Sequence, residues 1–199
     1  MALSIASQRV VDLVSNAVQI VRVGSSQTQE NGKTQYVLPG AFDPLHFGHR
    51  GMAKFAERRF GCRVAFEMSI RNVDKPELSI ETIRDRLKQF QADDSVCVTR
   101  APRFTQKADL FSRPCFLVGA DTIIRIGDAR YYAGDAAARD KAIEQLREQA
   151  VRFLVFGRLF AGTYRVAETL SMPSPLQKIC DFVREHEFRY DISSTDLRR

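Results

Sequence analysis

The chain has 199 residues and carries 30 lysines and arginines against 24 aspartates and glutamates, a formal net charge of +6 at pH 7. With 44% hydrophobic and 27% charged residues its composition is that of one globular domain with its own core, which excludes a disordered or fibrous chain and argues against two full enzymatic domains. No apolar run approaches the roughly 18 residues that span a bilayer, and Ser4, Ser7, Gln8, Arg9 and Asp12 interrupt any signal-peptide centre, so a cytoplasmic protein is expected. The positive charge is scattered, without a polybasic tail or a basic stripe with interleaved aromatics. Small phosphorylated ligands account for it as well as a polymer would; neither nucleic acid nor membrane is the expected partner, and self-association stays open.

In chain order, Leu3, Ala6, Val10, Val11, Leu13, Val14, Ala17, Val18 and Val21 recur with helical spacing, so an N-terminal helix is expected over residues 3–21. The polar, glycine-containing stretch Gly24 to Lys33 has linker composition, which divides the chain into residues 1–34, a helix and linker, and a main domain over 35–199. That domain opens with a short buried strand at Tyr36 to Pro39, a helix from Gly48 to Phe60 and a strand from Cys62 to Ile70. A helix over Ile80 to Phe90, a strand at Val96 to Thr99, a helical passage within Phe104 to Phe111 and a strand at Cys115 to Val118 follow. Ala136 to Ala150 reads as a helix, Phe153 to Phe156 as a strand and Pro175 to His186 as a last long helix. About five strands alternating with helices predict an α/β fold: a three-layer, doubly wound, Rossmann-like parallel sheet whose ligands bind outside the carboxyl ends of the strands.

The four cysteines, Cys62, Cys97, Cys115 and Cys180, form no CxxC pair, have no close histidine and fall mostly in apolar strand-like runs. Buried small hydrophobes are expected there, not a disulfide framework or a protein-held metal.

The segment Gly40-Ala41-Phe42-Asp43-Pro44-Leu45-His46-Phe47-Gly48-His49 leaves the first strand of the main domain and enters its first helix, where free backbone N–H groups and the helix dipole favour an anion. Gly40 permits a tight turn, Pro44 stiffens the loop and Gly48 leaves a surface open on which a flat base can lie. His46 and His49, two of the chain's three histidines, stand three apart, so both imidazoles can face one phosphate. A helix cap beside a packed ring would explain an isolated pair; the glycines, Pro44 and the strand-to-helix position favour function.

Through these residues the chain resembles the HxGH nucleotidyltransferase superfamily, whose motif stands here as His46-Phe47-Gly48-His49 behind Gly40-Ala41-Phe42-Asp43-Pro44. The resemblance implies transfer of a nucleotidyl group from ATP or CTP to a small phosphorylated acceptor with release of pyrophosphate. Ile192-Ser193-Ser194-Thr195-Asp196-Leu197-Arg198 looks like the ISSTxIR signature of the small-molecule branch, with Leu197 for isoleucine. Its Ser193, Ser194 and Thr195 would supply donors at a helix start, and Arg198, three residues past Thr195, would bind the β and γ phosphates. Gly119-Ala120-Asp121 and Gly157-Arg158 resemble motifs of the nicotinate and nicotinamide mononucleotide adenylyltransferases, where the GxD segment holds the nucleotide and the arginine approaches its phosphates. Asp121 also fits a plain helix cap, and Arg158 alone a surface residue.

Lys75 occupies the place of a substrate-binding lysine in that family, and a charged loop is its competing reading. The family's pyridine ring usually stacks on an aromatic residue, often tryptophan, and the chain has none; Tyr131 and Tyr132 fall near the expected position and would stack instead. Residues before Gln35 match nothing in the family.

The expected site therefore comprises His46, His49 and Arg198 for catalysis, Gly40, Ala41, Phe42, Gly48, Gly119, Asp121, Arg158, Ser193, Ser194 and Thr195 for the nucleotide, and Lys75, Tyr131 and Tyr132 for the acceptor. Mg2+ is expected as a cofactor bound through the triphosphate, with no dedicated protein ligand set. Nicotinate or nicotinamide mononucleotide is the expected acceptor. A cytidylyltransferase or phosphopantetheine-type adenylyltransferase is the alternative, and a non-catalytic nucleotide-binding module the reading from another class.

Overall fold

A computed structural model of the chain describes residues 9–24, 34–71, 76–160, 163–165 and 171–190, with 158–160 and 163–165 as backbone only. Among the described residues, 9–14 are helical (α1), followed by β1 (Ile20–Gly24), β2 (Gln35–Pro39), α2 (Phe47–Phe60), β3 (Val64–Ser69) and α3 (Ile80–Leu87). Next come β4 (Ser95–Thr99), α4 (Phe104–Ala108), β5 (Pro114–Gly119), α5 (Ala120–Gly127) and a 3-10 turn over Ala129–Tyr132. The order closes with α6 (Ala136–Glu148), β6 (Arg152–Phe156), the hairpin β7 (Arg158–Phe160) and β8 (Thr163–Arg165), α7 (Ser174–Gln177) and β9 (Cys180–Val183).

Seven strands form one sheet in the order β1-β4-β3-β2-β5-β6-β9. Every pairing in it is parallel except that of β1 with β4. Parallel strands require crossovers, and the helices that make them cover both faces. Successive residues of β2 show the division: Leu38 packs with Phe66, Ala53, Phe55 and Ile83 on the α2/α3 face, while Val37 packs with Phe116, Ile123, Ile143 and Leu146 on the α5/α6 face. The period-2 alternation of strand side chains thus feeds two cores, and the architecture is the three-layer, Rossmann-like α/β fold.

The five strands expected from the sequence form the centre of the sheet. Three expectations need correction. The helix predicted through Val21 ends by residue 14; Asn16 turns the chain with a φ of 66°, and Ile20–Gly24 becomes an edge strand. There Val21 is buried at 3% exposure while Arg22 points outward, an alternation that a helical count over the whole segment hides. The long helix predicted over Pro175 to His186 is a single turn, Ser174–Gln177, followed by β9 in parallel register with β6, Phe153 opposite Cys180. Its apolar residues satisfy the outer edge of β6, a tertiary demand that overrides local propensity. The sheet therefore has seven strands, not five. Finally, α5 occupies a stretch to which the sequence reading assigned no helix, with Ala120, Ile123 and Ile126 buried. The expected linker falls largely on 25–33, outside the described residues. No helix among the described residues is long and apolar enough to cross a membrane.

Candidate active site

The strand order reverses direction at β2: β3 and β4 lie to one side, β5, β6 and β9 to the other. Crossovers leave such a point toward opposite faces, so a crevice opens between the carboxyl ends of the two central strands. A cavity of about 260 Å3 occupies it. Leu38, Pro39 and Gly40 line it from β2 and its exit, Leu117, Val118 and Gly119 from β5. His46, Gly48, His49 and Met52 line it from the start of α2, Asp121 and Thr122 from α5, and Phe156, Gly157, Phe188 and Tyr190 from the C-terminal side.

The loop from β2 to α2 is built from the inside outward. Gly40 continues the sheet by donating its N–H to the Glu67 carbonyl at 2.9 Å, and a Cβ there would lie 2.7 Å from the Phe42 ring. Only glycine lets that ring pass beneath the turn. Phe42 takes a φ of +47°, an uncommon conformation for a bulky residue, held by burial to 1% exposure. Its ring meets His49, Phe66 and Phe90 edge-on, with centroids 5.2, 5.8 and 5.3 Å away. Phe42, expected at the nucleotide, thus turns its side chain into the core under the loop and does not line the cavity.

His46 is the N-cap of α2, and His49 stands at the third helical position. Their rings stack with centroids 3.8 Å apart and planes 27° apart. The His46 backbone N–H donates to His49 Nδ1 at 3.3 Å, the bond a glutamate makes in an ordinary capping box. A neutral imidazole that accepts at Nδ1 carries its proton on Nε2, so this local bond sets His49 as a donor at its far nitrogen. No acidic side chain stands in the first turn of this 14-residue helix, and its positive end and terminal N–H groups favour an anion at the cavity.

Across the cavity, Gly119 is the N-cap of α5 and Asp121 its second helical residue, so Asp121 is not the cap that the competing reading made of it. A Cβ on Gly119 would lie 2.7 Å from Asp121 Oδ1; the glycine allows the carboxylate to fold back over the helix start. The GxD spacing has a steric cause here.

Tyr131 and Tyr132 belong to the 3-10 turn and are not among the residues that line the cavity. The Arg125 guanidinium sits 5.7 Å from the Tyr131 ring centre, and the Tyr132 hydroxyl donates to the Ile126 carbonyl at 3.1 Å. Ala41 lies in the loop between β2 and α2 without lining the cavity. Arg158 opens β7 directly after Gly157, its backbone alone being described. Lys75, Ser193, Ser194, Thr195 and Arg198 lie outside the described residues.

The sequence reading missed the aromatic wall. Phe188 packs on Phe156 at 4.8 Å and on Tyr190 at 5.0 Å between ring centres, and both Phe188 and Tyr190 line the cavity. Their apolar alternation just ahead of Ser193 was the available signal, obscured by the helix expected over Pro175 to His186. Also missed were Arg86 and Gln89, whose side chains bond to the loop from α3 and its exit.

Cys97, Cys115 and Cys180 are buried, as expected, whereas Cys62 is only partly buried. All four are free, and burial pushes Cys97 up to about 11 and Cys115 and Cys180 up to about 12. No group of three His, Cys, Asp or Glu side chains converges to hold a metal among the described residues.

A match to a protein-family model, described as cytidylyltransferase-like, covers residues 37–199. A Schizosaccharomyces pombe protein named "Putative nicotinamide mononucleotide adenylyltransferase" is 29% identical over 149 residues, which is 66% of this chain and 56% of that protein. The match thus spans little more than half the length of that relative. With the family match running from the second residue before Pro39 through both motif regions, the chain belongs to the cytidylyltransferase-like nucleotidyltransferases.

Proposed function

We propose that this protein transfers AMP from ATP to nicotinate or nicotinamide mononucleotide, releasing pyrophosphate. The observation that carries the reading is the stacked pair His46 and His49 at the N-terminus of α2, lining one cavity with Gly119 and Asp121. The resemblance of the GxD and Ser-Ser-Thr segments and the name of the yeast relative favour this acceptor class.

In the proposed reaction an oxygen of the acceptor phosphate attacks the α-phosphorus of ATP in line, forming a P–O–P bond as the α–β bridging bond breaks. The attacking oxygen is already anionic, so no general base is required. Positioning and electrostatic stabilisation supply the acceleration. His49 donates from Nε2 and His46 from its ring to the α-phosphate oxygens, where charge concentrates, while the N–H groups opening α2 hold the same anion. Arg198 and Arg158 neutralise the β and γ phosphates, Ser193, Ser194 and Thr195 donate to them, and Lys75 engages the acceptor.

Mg2+ fits as a companion of the triphosphate: Asp121 is the sole acidic side chain among the described residues lining the cavity, so the ligands must come mainly from phosphate oxygens. When bound, it neutralises charge on the leaving pyrophosphate. The base lies over Gly48, with Phe188 and Tyr190 as its aromatic boundary.

A second acceptor class is favoured by one observation: Tyr131 and Tyr132 stand outside the cavity lining, which weakens the case for a pyridine ring stacked there and favours a phosphopantetheine or phospho-alcohol acceptor. Pyrophosphate release with ATP or CTP, assayed against nicotinate mononucleotide, nicotinamide mononucleotide, phosphopantetheine and a set of phospho-alcohols, tests both readings. Turnover confined to ATP with a pyridine mononucleotide is the expected outcome. Turnover with another acceptor alone establishes the second reading, and nucleotide binding without release from any acceptor overturns both.

A further inference from the structure

The loop that carries His46 does not hold its shape alone. Its positive-φ turn at Phe42 leaves several backbone groups without a strand or helix partner, and buried groups of that kind need partners from elsewhere. They find them on one short stretch, the end of α3 and its exit toward β4. Gln89 Oε1 accepts the Leu45 N–H at 2.8 Å, and Gln89 Nε2 donates to the Phe42 carbonyl at 3.0 Å. Arg86 donates to the Ala41 carbonyl at 2.9 Å and pairs with Asp43 at 3.3 Å. Phe90 places its ring edge-on to Phe42.

Gln89 is also tied to the helix that the loop enters. Its own carbonyl accepts from Arg50 at 3.2 Å, and Arg50, in the first turn of α2, is held by Asp94 through two bonds of 3.1 Å. One residue thus connects both sides of the loop with the start of α2. From these bonds we infer that Gln89 is a positioning residue for nucleotidyl transfer: its amide clamps the Phe42–Leu45 turn so that His46 and His49 meet the transferring phosphate in register. The inference rests on the reading of this loop as the phosphate site.

The chemistry of the clamp is specific to a glutamine. It must accept and donate at once, which no apolar or singly functional side chain does, and it must span the gap from the α3 exit, for which asparagine is one methylene short. A loss of alignment on the order of 1 Å at a reacting centre costs up to about a hundredfold in rate, whereas two neutral hydrogen bonds at a half-exposed position contribute only modestly to stability. The clamp therefore acts on rate more than on folding.

The test compares the wild-type full chain with Gln89→Met, which keeps length and packing without the amide, and Gln89→Asn, which keeps the amide without the reach. Expected for both is a fall in kcat of about ten- to a hundredfold, with little change in the KM of the acceptor, at temperatures well below a Tm that moves by only a few degrees. A purely structural role predicts the reverse, a lower Tm with unchanged kcat, and that result overturns the inference; so does wild-type turnover in Gln89→Asn. A second readout is independent of any turnover: long-range 1H–15N spectra of the imidazoles report the tautomer of His49. The Nε2–H pattern is expected in the wild type and its loss in Gln89→Met, and an unchanged pattern counts against the clamp. Wild-type protein that releases no pyrophosphate while its histidine spectra respond to Gln89→Met means that the reaction was misassigned and the clamp stands.

Discussion

Glu67 on β3 and Lys107 on α4 form an ion pair inside the fold, with Lys107 Nζ 2.7 Å from each carboxylate oxygen. Glu67 has no exposed surface and Lys107 is 5% exposed. Thr99 donates its hydroxyl to the same carboxylate, while the Glu67 carbonyl accepts the Gly40 N–H. One residue therefore joins the floor of the loop between β2 and α2 to β4 and α4. Removing a single member strands a buried charge, so Lys107→Met is expected to destabilise the protein by about 3–5 kcal/mol. Replacing both, Lys107→Met with Glu67→Met, should recover much of that loss. Urea unfolding of the two variants checks it, and equal stability of the single variant and the wild type contradicts it.

His49→Ala is expected to lower kcat by about a hundredfold or more, the scale of one lost transition-state donor. Its ring also contacts Phe42, so thermal stability must be measured alongside. A folded variant with near-normal turnover removes His49 from the chemistry.

The aromatic residues divide by position. Tyr190, 47% exposed and lining the cavity, should weaken ATP several-fold when changed to alanine, matching a ring contact of about 1 kcal/mol. Tyr131→Ala should leave ATP untouched and weaken a pyridine mononucleotide only if that ring reaches the acceptor. Tyr132→Ala should lower the Tm, because its hydroxyl serves the Ile126 carbonyl. Titration calorimetry of the three variants with ATP and with each mononucleotide separates these roles; ATP binding unaltered in Tyr190→Ala sinks the first assignment.

Buried thiols link stability to alkaline pH. Cys97 is pushed from an ordinary 9.0 up to about 11, and Cys115 and Cys180 up to about 12, chiefly by burial. A raised folded-state value means that the native protein keeps protons the unfolded chain has lost. The stability these thiols contribute is complete below pH 9 and declines as pH rises toward 11 and 12. Unfolding midpoints measured from pH 8 to 11 should fall, less so in a Cys97→Ala, Cys115→Ala, Cys180→Ala variant. At pH 8 a thiol reagent should modify these three cysteines only after unfolding.

The central strands and the strand-to-helix loop were legible in the sequence because their signals are local. Val37 and Leu38 are apolar in succession because both faces of a parallel strand are covered, and His46 and His49 are three apart because a helix start needs that spacing to bring two rings together. The GxD segment was legible for the same reason, a contact between residues two apart. Long-range contacts decided the rest. Ile20–Gly24 became a strand because β4 offered it an edge, and Cys180–Val183 because β6 did. Phe188 and Tyr190 reached the cavity only because β9 delivers the chain to the carboxyl end of the sheet, next to α2. Gln89 carries no motif at all; its amide finds Phe42 and Leu45, 47 and 44 positions away, because the crossover through α3 returns the chain beneath the loop. Hydrogen-bond partners at such separations are set by topology, and a reading of spacing along the chain cannot supply them.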